Sequence, residues 1–198
     1  MIGYIFFLLM TFLISFICGI FVVPQITNFC KKKNLYDAPN LRKVHTTNIP
    51  RMGGICFVPC MVVAALFTVL VYKYYNGQTV TIGLWSCLFL VSILMIYIVG
   101  FVDDVTGVKP RTKFIVQIIA ASLMPFSGLY INNLYGFLGI ETIPFWVGAP
   151  LTVFIMVFVD NAMNLIDGID GLAGGLASMS LIGFLYCFMR EGLFVYCV

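Results

Sequence analysis

Uncharged runs of membrane-spanning length alternate along this chain with short polar connections. No residue from Thr79 to Val102 is charged, and apolar stretches lie near residues 2–23, 54–72, 80–102, 114–131, 145–163 and 172–189. Each is close to the roughly 20 helical residues that a hydrocarbon core of about 30 Å requires. The pattern predicts an all-α, polytopic transmembrane helix bundle of about six spans. Between the fourth and fifth runs, NNLYGFLGIETIPF interrupts the apolar pattern with Asn, Gly and Pro and predicts an irregular or hairpin-like connection. No internal repeat or low-complexity tract divides the chain, so residues 1–198 are expected to form a single transmembrane domain.

Composition points the same way, with 62% hydrophobic and 10% charged residues, against roughly 25% charged in a soluble domain. The net charge of +3 gives no nucleic-acid signal, because the basic residues lie in the connections and form no stripe on a folded face. Of the seven cysteines, Cys18, Cys56, Cys60, Cys87 and Cys187 fall inside apolar runs, without CxxC or Cys/His spacing, and behave as small hydrophobes with no zinc site. No Lys or Arg precedes Lys31, and the run from Ile2 to Val23 exceeds the 7–15 residues, roughly, of a secretory h-region, so it is expected to be a retained span.

Alternate connections differ sharply in basic residues. Those after spans one, three and five carry Lys31, Lys32, Lys33, Arg42, Lys43, Arg51, Lys109, Arg111 and Lys113, against Lys73 and Arg190 on the other side. The positive-inside rule makes the rich side cytoplasmic and puts the N-terminus outside. Every cluster of polar chemistry is then expected at the cytoplasmic face.

Three such clusters occur. From Asp37 to Gly54, DAPNLRKVHTTNIPRMGG offers Arg42, Lys43, His45 and Arg51 to an anion, with Gly53 and Gly54 where bare amides can approach a phosphate. The same loop would also suit a purely topological role. From Gly100 to Phe114, GFVDDVTGVKPRTKF sets Asp103 and Asp104 at the end of span three and Lys109, Arg111 and Lys113 at the start of span four. Surface ion pairing to Lys109 or Lys113 is one account of the aspartates, worth about 0–1 kcal/mol. Yet they face the negative end of the helix dipole, so the fold is expected to gain nothing from them, and a divalent cation is the natural partner of doubled carboxylates. From Asp160 to Gly175, DNAMNLIDGIDGLAGG spaces Asn161, Asn164 and Asp167 by three, on one face if span five continues as helix, with Asp170 beyond Gly168. Gly171, Gly174 and Gly175 also suit a small-residue packing seam.

In order and spacing these clusters resemble the polyprenyl-phosphate N-acetylhexosamine-1-phosphate transferases, including the undecaprenyl-phosphate N-acetylglucosamine-1-phosphate type, with phospho-N-acetylmuramoyl-pentapeptide transferase a more distant relative. The matching patterns are Asp-x-Pro…Arg-Lys-x-His…Pro-x-x-Gly-Gly in Asp37 to Gly54, Asp-Asp…Lys in Asp103 to Lys113, and Asn-x-x-Asn-x-x-Asp-Gly-x-Asp-Gly-Leu-Ala in Asn161 to Ala173. The resemblance implies that a polyprenyl phosphate oxygen attacks the β-phosphorus of a UDP-amino sugar, releases UMP and leaves a lipid-linked pyrophosphoryl sugar for cell-wall or surface-polysaccharide synthesis. It implies a magnesium ion, with manganese as substitute, and a bacterial inner-membrane location. Dimers among relatives make a homodimer the candidate assembly.

By the same resemblance, Asp103 and Asp104 organise the lipid phosphate and the metal, one of them as a candidate base, and Asp104 and Asn164 ligate the metal. Arg51, Arg111 and Lys113 meet phosphate, Leu165, Asp167 and Gly168 border a nucleoside pocket, and Asp170 accepts the uracil N3–H. The family is longer, with ten or eleven spans and a second half that brings a further metal-binding Asp and a loop contacting the sugar nucleotide. Nothing after Gly175 resembles those segments, so the chain is expected to be an amino-terminal portion. A transporter with ion-binding acids and an inactive truncated scaffold are the competing readings; the first predicts acids near mid-span, whereas here they lie at boundaries.

Overall fold

The computed structural model describes residues 2–37, 49–50, 52–77, 83–169 and 171–192. Six α-helices dominate it: α1 (Ile2–Lys33), α2 (Phe57–Asn76), α3 (Leu84–Thr106), α4 (Pro110–Phe126), α5 (Phe145–Ile166) and α6 (Leu172–Arg190). A 3-10 turn, Gly53–Cys56, leads into α2. Two-residue strands β1 (Tyr36–Asp37) and β2 (Ile49–Pro50) pair antiparallel and draw together the ends of the segment between them. Backbone contacts divide the chain into two compact units, one of residues 1–80 and 166–198, the other of residues 81–165.

In the first unit α1 packs on α2 through small residues. Ala64 is fully buried, and the Thr11 and Thr68 hydroxyls lie 2.7 Å apart across the helix pair. Phe7 meets Tyr72 edge to face, with ring centroids at 5.3 Å. Cys56 and Cys60 are buried and form no disulfide, which agrees with their expected role as small hydrophobes, Cys18 is half-buried, and Cys87 and Cys187 are exposed. Pro24 lies inside α1 and donates no bond to the Ile20 carbonyl, yet the helix continues through Lys33, ten residues beyond the predicted end of the first span. No described residue of α6 is buried, and a Cβ added at Gly174 or Gly175 would meet nothing within 4 Å among the described residues.

In the second unit α3 and α4 form a tight antiparallel pair. Gly107, at φ 73°, turns the chain, Pro110 starts α4 in its first turn, and Ser92 Oγ donates to the Ala120 carbonyl at 3.0 Å in the buried seam. α4 ends at Phe126, short of the predicted residue 131, because Ser127 and Gly128 (φ 91°) close it off. The predicted hairpin-like connection is present, with an antiparallel bridge between Asn133 and Thr142. It is fastened to α5 where Thr152 Oγ1 accepts the Ile131 N–H at 2.9 Å and donates to the Gly148 carbonyl at 2.7 Å.

Among the described residues, five helices are long and apolar enough to cross a membrane: Ile5–Lys33, Gly53–Tyr75, Leu84–Thr106, Phe145–Ile166 and Leu172–Arg190. The chain is thus an all-α, multi-pass membrane protein. These five agree with the expected bundle of about six spans, and α4, with 17 residues and about 25 Å of length, is at the short end of what a span requires.

Candidate functional site

The second unit carries its polar chemistry at one end. α3 delivers Asp103 and Asp104, both half-buried, and α4 begins three residues after Gly107. The Asp103 carboxylate is bound from two sides: Oδ1 accepts the Val108 N–H at 2.8 Å and Oδ2 lies 3.2 Å from Lys113 Nζ. The expectation that the fold gains nothing from an acid here is therefore wrong for Asp103. Its side chain satisfies a backbone donor of the turn just past the helix end, an interaction that dipole reasoning alone leaves out. With side chains 28% and 30% exposed, the Lys113–Asp103 ion pair is worth at most about 1 kcal/mol to stability.

One turn further into α4 lies Gln117, which the sequence-based site did not include, bonded to Asp160 and Asn161 of the third cluster. Gln117 is only 5% exposed; its Nε2 donates to Asp160 Oδ2 at 2.5 Å and its Oε1 accepts from Asn161 Nδ2 at 3.1 Å. Asn161 also donates to the Val157 carbonyl at 2.8 Å, so both amides are held in place. The signal available in the sequence was a single amide within the run 114–131, where a strongly polar side chain needs a partner inside the membrane.

This cluster fixes which ends of the helices lie together. From Gln117, Lys113 is four residues back along α4; from Asn161, Asn164 is three residues forward along α5. The helices run antiparallel here, so both steps lead the same way by about 5–6 Å. Asp103, Asp104, Lys113 and Asn164 therefore share one end of the unit. Asn164 and Leu165 are exposed on the last turn of α5, Leu165 by 82%. Asp167 and Gly168 are also exposed, but they occupy a turn, because α5 stops at Ile166. The predicted common helical face of Asn161, Asn164 and Asp167 thus ends before Asp167. Arg111 is exposed in the first turn of α4. Arg51 and Asp170 lie outside the described residues.

From that polar end an apolar groove of about 960 Å³ runs between α4 and α5. Phe114, Ile118, Ser122 and Phe126 line it from α4 at four-residue intervals, and Val153, Val157, Asn161 and Leu165 are among its lining residues on α5. Its α4 wall begins at the residue after Lys113. Charge at one end of α4 and an apolar wall along the rest of it form an arrangement suited to an amphiphile with an anionic head. Among the described residues no three His, Cys, Asp or Glu side chains gather as a metal cage.

Similarity to known proteins bears on the same residues. The chain is 29% identical over 182 residues to a probable undecaprenyl-phosphate N-acetylglucosaminyl 1-phosphate transferase of Bacillus subtilis, covering 88% of this chain and 46% of that protein. It is 32% identical over 158 residues to a decaprenyl-phosphate N-acetylglucosaminephosphotransferase of Mycobacterium tuberculosis, with 78% and 38% covered. A phospho-N-acetylmuramoyl-pentapeptide-transferase of Campylobacter jejuni is 30% identical over 207 aligned positions, with 88% and 53% covered. The chain spans about half, or less, of the length of these relatives. Residues 85–198, from the start of α3 onward, match the model of glycosyl transferase family 4, and the chain belongs to that family.

Proposed function

We propose that this chain takes part in the transfer of a sugar-1-phosphate, GlcNAc-1-phosphate, from a UDP-amino sugar to a membrane polyprenyl phosphate, with release of UMP, on the cytoplasmic side of a bacterial inner membrane. The product is a lipid-linked pyrophosphoryl sugar for cell-wall or surface-polysaccharide synthesis. The observation that carries this reading is the Lys113–Asp103 pair at the end of α4 where the groove's wall starts with Phe114, in a chain whose relatives are named for polyprenyl-phosphate substrates.

Each residue then has a physical task. Lys113 places a positive charge where an apolar chain ends in phosphate, and Asp103 holds that ammonium in position. Arg111, exposed in the same turn, adds a second cation. Such fixed charges favour the approach of two anions by an arrangement already made before they meet. The Gln117 cluster holds the inner turn of α5, and with it Asn164, against α4.

Magnesium commonly takes one or two carboxylates and completes its shell with water and phosphate oxygens. The adjacent Asp103 and Asp104 fit such a shared site better than a cage built by protein alone. By the motif resemblance the metal-ligand role is assigned to Asp104, with Asn164 as a neutral oxygen donor at the same end of the unit. When bound, the ion would supply neutralisation of charge between the two phosphates. By the motif resemblance Asp170 is assigned to the uracil imide, and Leu165, Asp167 and Gly168 to the nucleoside.

The test is transfer of labelled GlcNAc-1-phosphate from UDP-GlcNAc to polyprenyl phosphate in membranes containing the chain. Transfer is expected, and it should be lost in Lys113→Met and in Asp104→Asn; full activity of Asp104→Asn removes the metal assignment. Unchanged uridine-nucleotide affinity in Asp170→Ala removes the uracil assignment.

A further inference from the structure

At the end of the second unit remote from Asp103, the connection from α4 to α5 folds back on itself between Asn132 and Ile143. Its backbone supplies its own partners: Leu134 N–H donates to the Glu141 carbonyl at 2.7 Å, Gly136 N–H to Ile140 at 3.1 Å, and Ile143 N–H to Asn132 at 2.8 Å. The N–H groups of Phe137, Gly139 and Ile140 donate to carbonyls within the tip, and Asn133 Oδ1 accepts the Tyr135 N–H at 2.6 Å. The side chains are turned outward: Tyr135 is 92% exposed, Leu138 81% and Phe137 66%. Tyr135 and Leu138 hold φ of 51° and 56°, a region uncommon for residues with a Cβ. Between Ser127 and Phe145 the only charged residue is Glu141.

We propose that this hairpin tip is an interfacial membrane anchor that inserts Tyr135, Phe137 and Leu138 into the headgroup–acyl boundary of the bilayer crossed by α3 and α5. A loop in which Leu134, Tyr135, Gly136, Phe137, Gly139, Ile140 and Ile143 donate within the tip leaves water at a lower cost than open backbone, which suits the depth of the headgroup boundary and not the hydrocarbon centre. Aromatic and aliphatic side chains with few charges are what that boundary selects. The surface is continuous with the membrane face of the unit, because Phe126 at the end of α4 and Trp146 at the start of α5 are themselves exposed on either side of the hairpin. The inference does not depend on the reaction proposed above.

The test places a single tryptophan at the tip. In the full chain, Leu138→Trp is combined with Trp85→Phe and Trp146→Phe, which replace both native tryptophans, and the protein is reconstituted in phosphatidylcholine vesicles. The expected result is a blue-shifted emission, strong quenching by phospholipid brominated near the headgroup end of the acyl chain, and little quenching by acrylamide. Efficient acrylamide quenching without bromolipid quenching overturns the proposal. So does protection that disappears when the chain is diluted in lipid, which would assign the tip to contact between copies. Should the triple variant fail to fold, hydroxyl-radical footprinting of the unmodified chain in vesicles decides: Tyr135 and Phe137 are expected to be oxidised severalfold less than in the urea-unfolded chain, and equal oxidation overturns the anchor.

Discussion

Among the described glycines, Gly148 is the one where an added Cβ is most crowded. A Cβ there would lie 2.2 Å from the Ile131 carbonyl oxygen and 2.9 Å from Tyr130 Cδ2, and backbone cannot swing aside as a side-chain tip does. Gly148→Ala must push the hairpin away from α5. Overpacking of this kind costs about 1–3 kcal/mol. The two Thr152 hydrogen bonds that join Ile131 to the Gly148 carbonyl add about 1 kcal/mol each when disturbed. Replacing Gly by Ala inside a helix returns about 1 kcal/mol, which leaves a net loss of about 2–4 kcal/mol. Gly100→Ala is the matched control, since Gly100 lies inside α3 with nothing within 4 Å of a new Cβ; its stability should stay level or rise by up to about 1 kcal/mol. Equilibrium unfolding of the two variants in mixed detergent micelles, followed by circular dichroism, measures the difference. Equal shifts of the same sign would refute the close approach of α5 to the Tyr130–Ile131 backbone.

Other perturbations separate stability from chemistry. Gln117→Leu and Asp160→Leu should each destabilise, and a double-mutant cycle is expected to return a coupling of about 1–2 kcal/mol; additivity would remove the bond between them. Asp103→Asn and Lys113→Met should be coupled by no more than about 1 kcal/mol in unfolding, yet each should abolish transfer in the membrane assay; retained transfer in Lys113→Met would release that side chain from phosphate. Thr11→Val with Thr68→Val should show a coupling of about 0.6 kcal/mol across α1 and α2, read from the same unfolding experiment, and none at all would mean that their 2.7 Å contact is energetically idle.

Hydropathy made the helices legible and left their ends obscure. α1 runs past Val23 because Pro24 removes only one bond from a long ladder and Lys31–Lys33 are good helix formers in water. α4 stops early because Ser127 and Gly128 satisfy its last carbonyls, which an apolar count does not register. The acids of α3 stood out as charges beside an uncharged run, but the bond from Val108 to Asp103 depends on a turn geometry that composition does not encode. Gln117 was overlooked for the opposite reason: it is neutral, lies among hydrophobes, and gains its meaning only when α5 brings Asp160 and Asn161 beside it. The displacement of Asp167 from a helical face into a turn followed from where α5 ends, and spacing by three could not fix that end.

The 32 residues of α1 measure about 48 Å along the axis, against roughly 30 Å of hydrocarbon. The surplus of about 18 Å is taken up by tilt or by turns that extend past the hydrocarbon, and the Lys31–Lys33 triplet occupies the last turn. Whatever continues from Leu35 begins its path from the end of that helix, so shortening or lengthening α1 in whole turns would move that starting point along the helix axis in steps of about 5.4 Å.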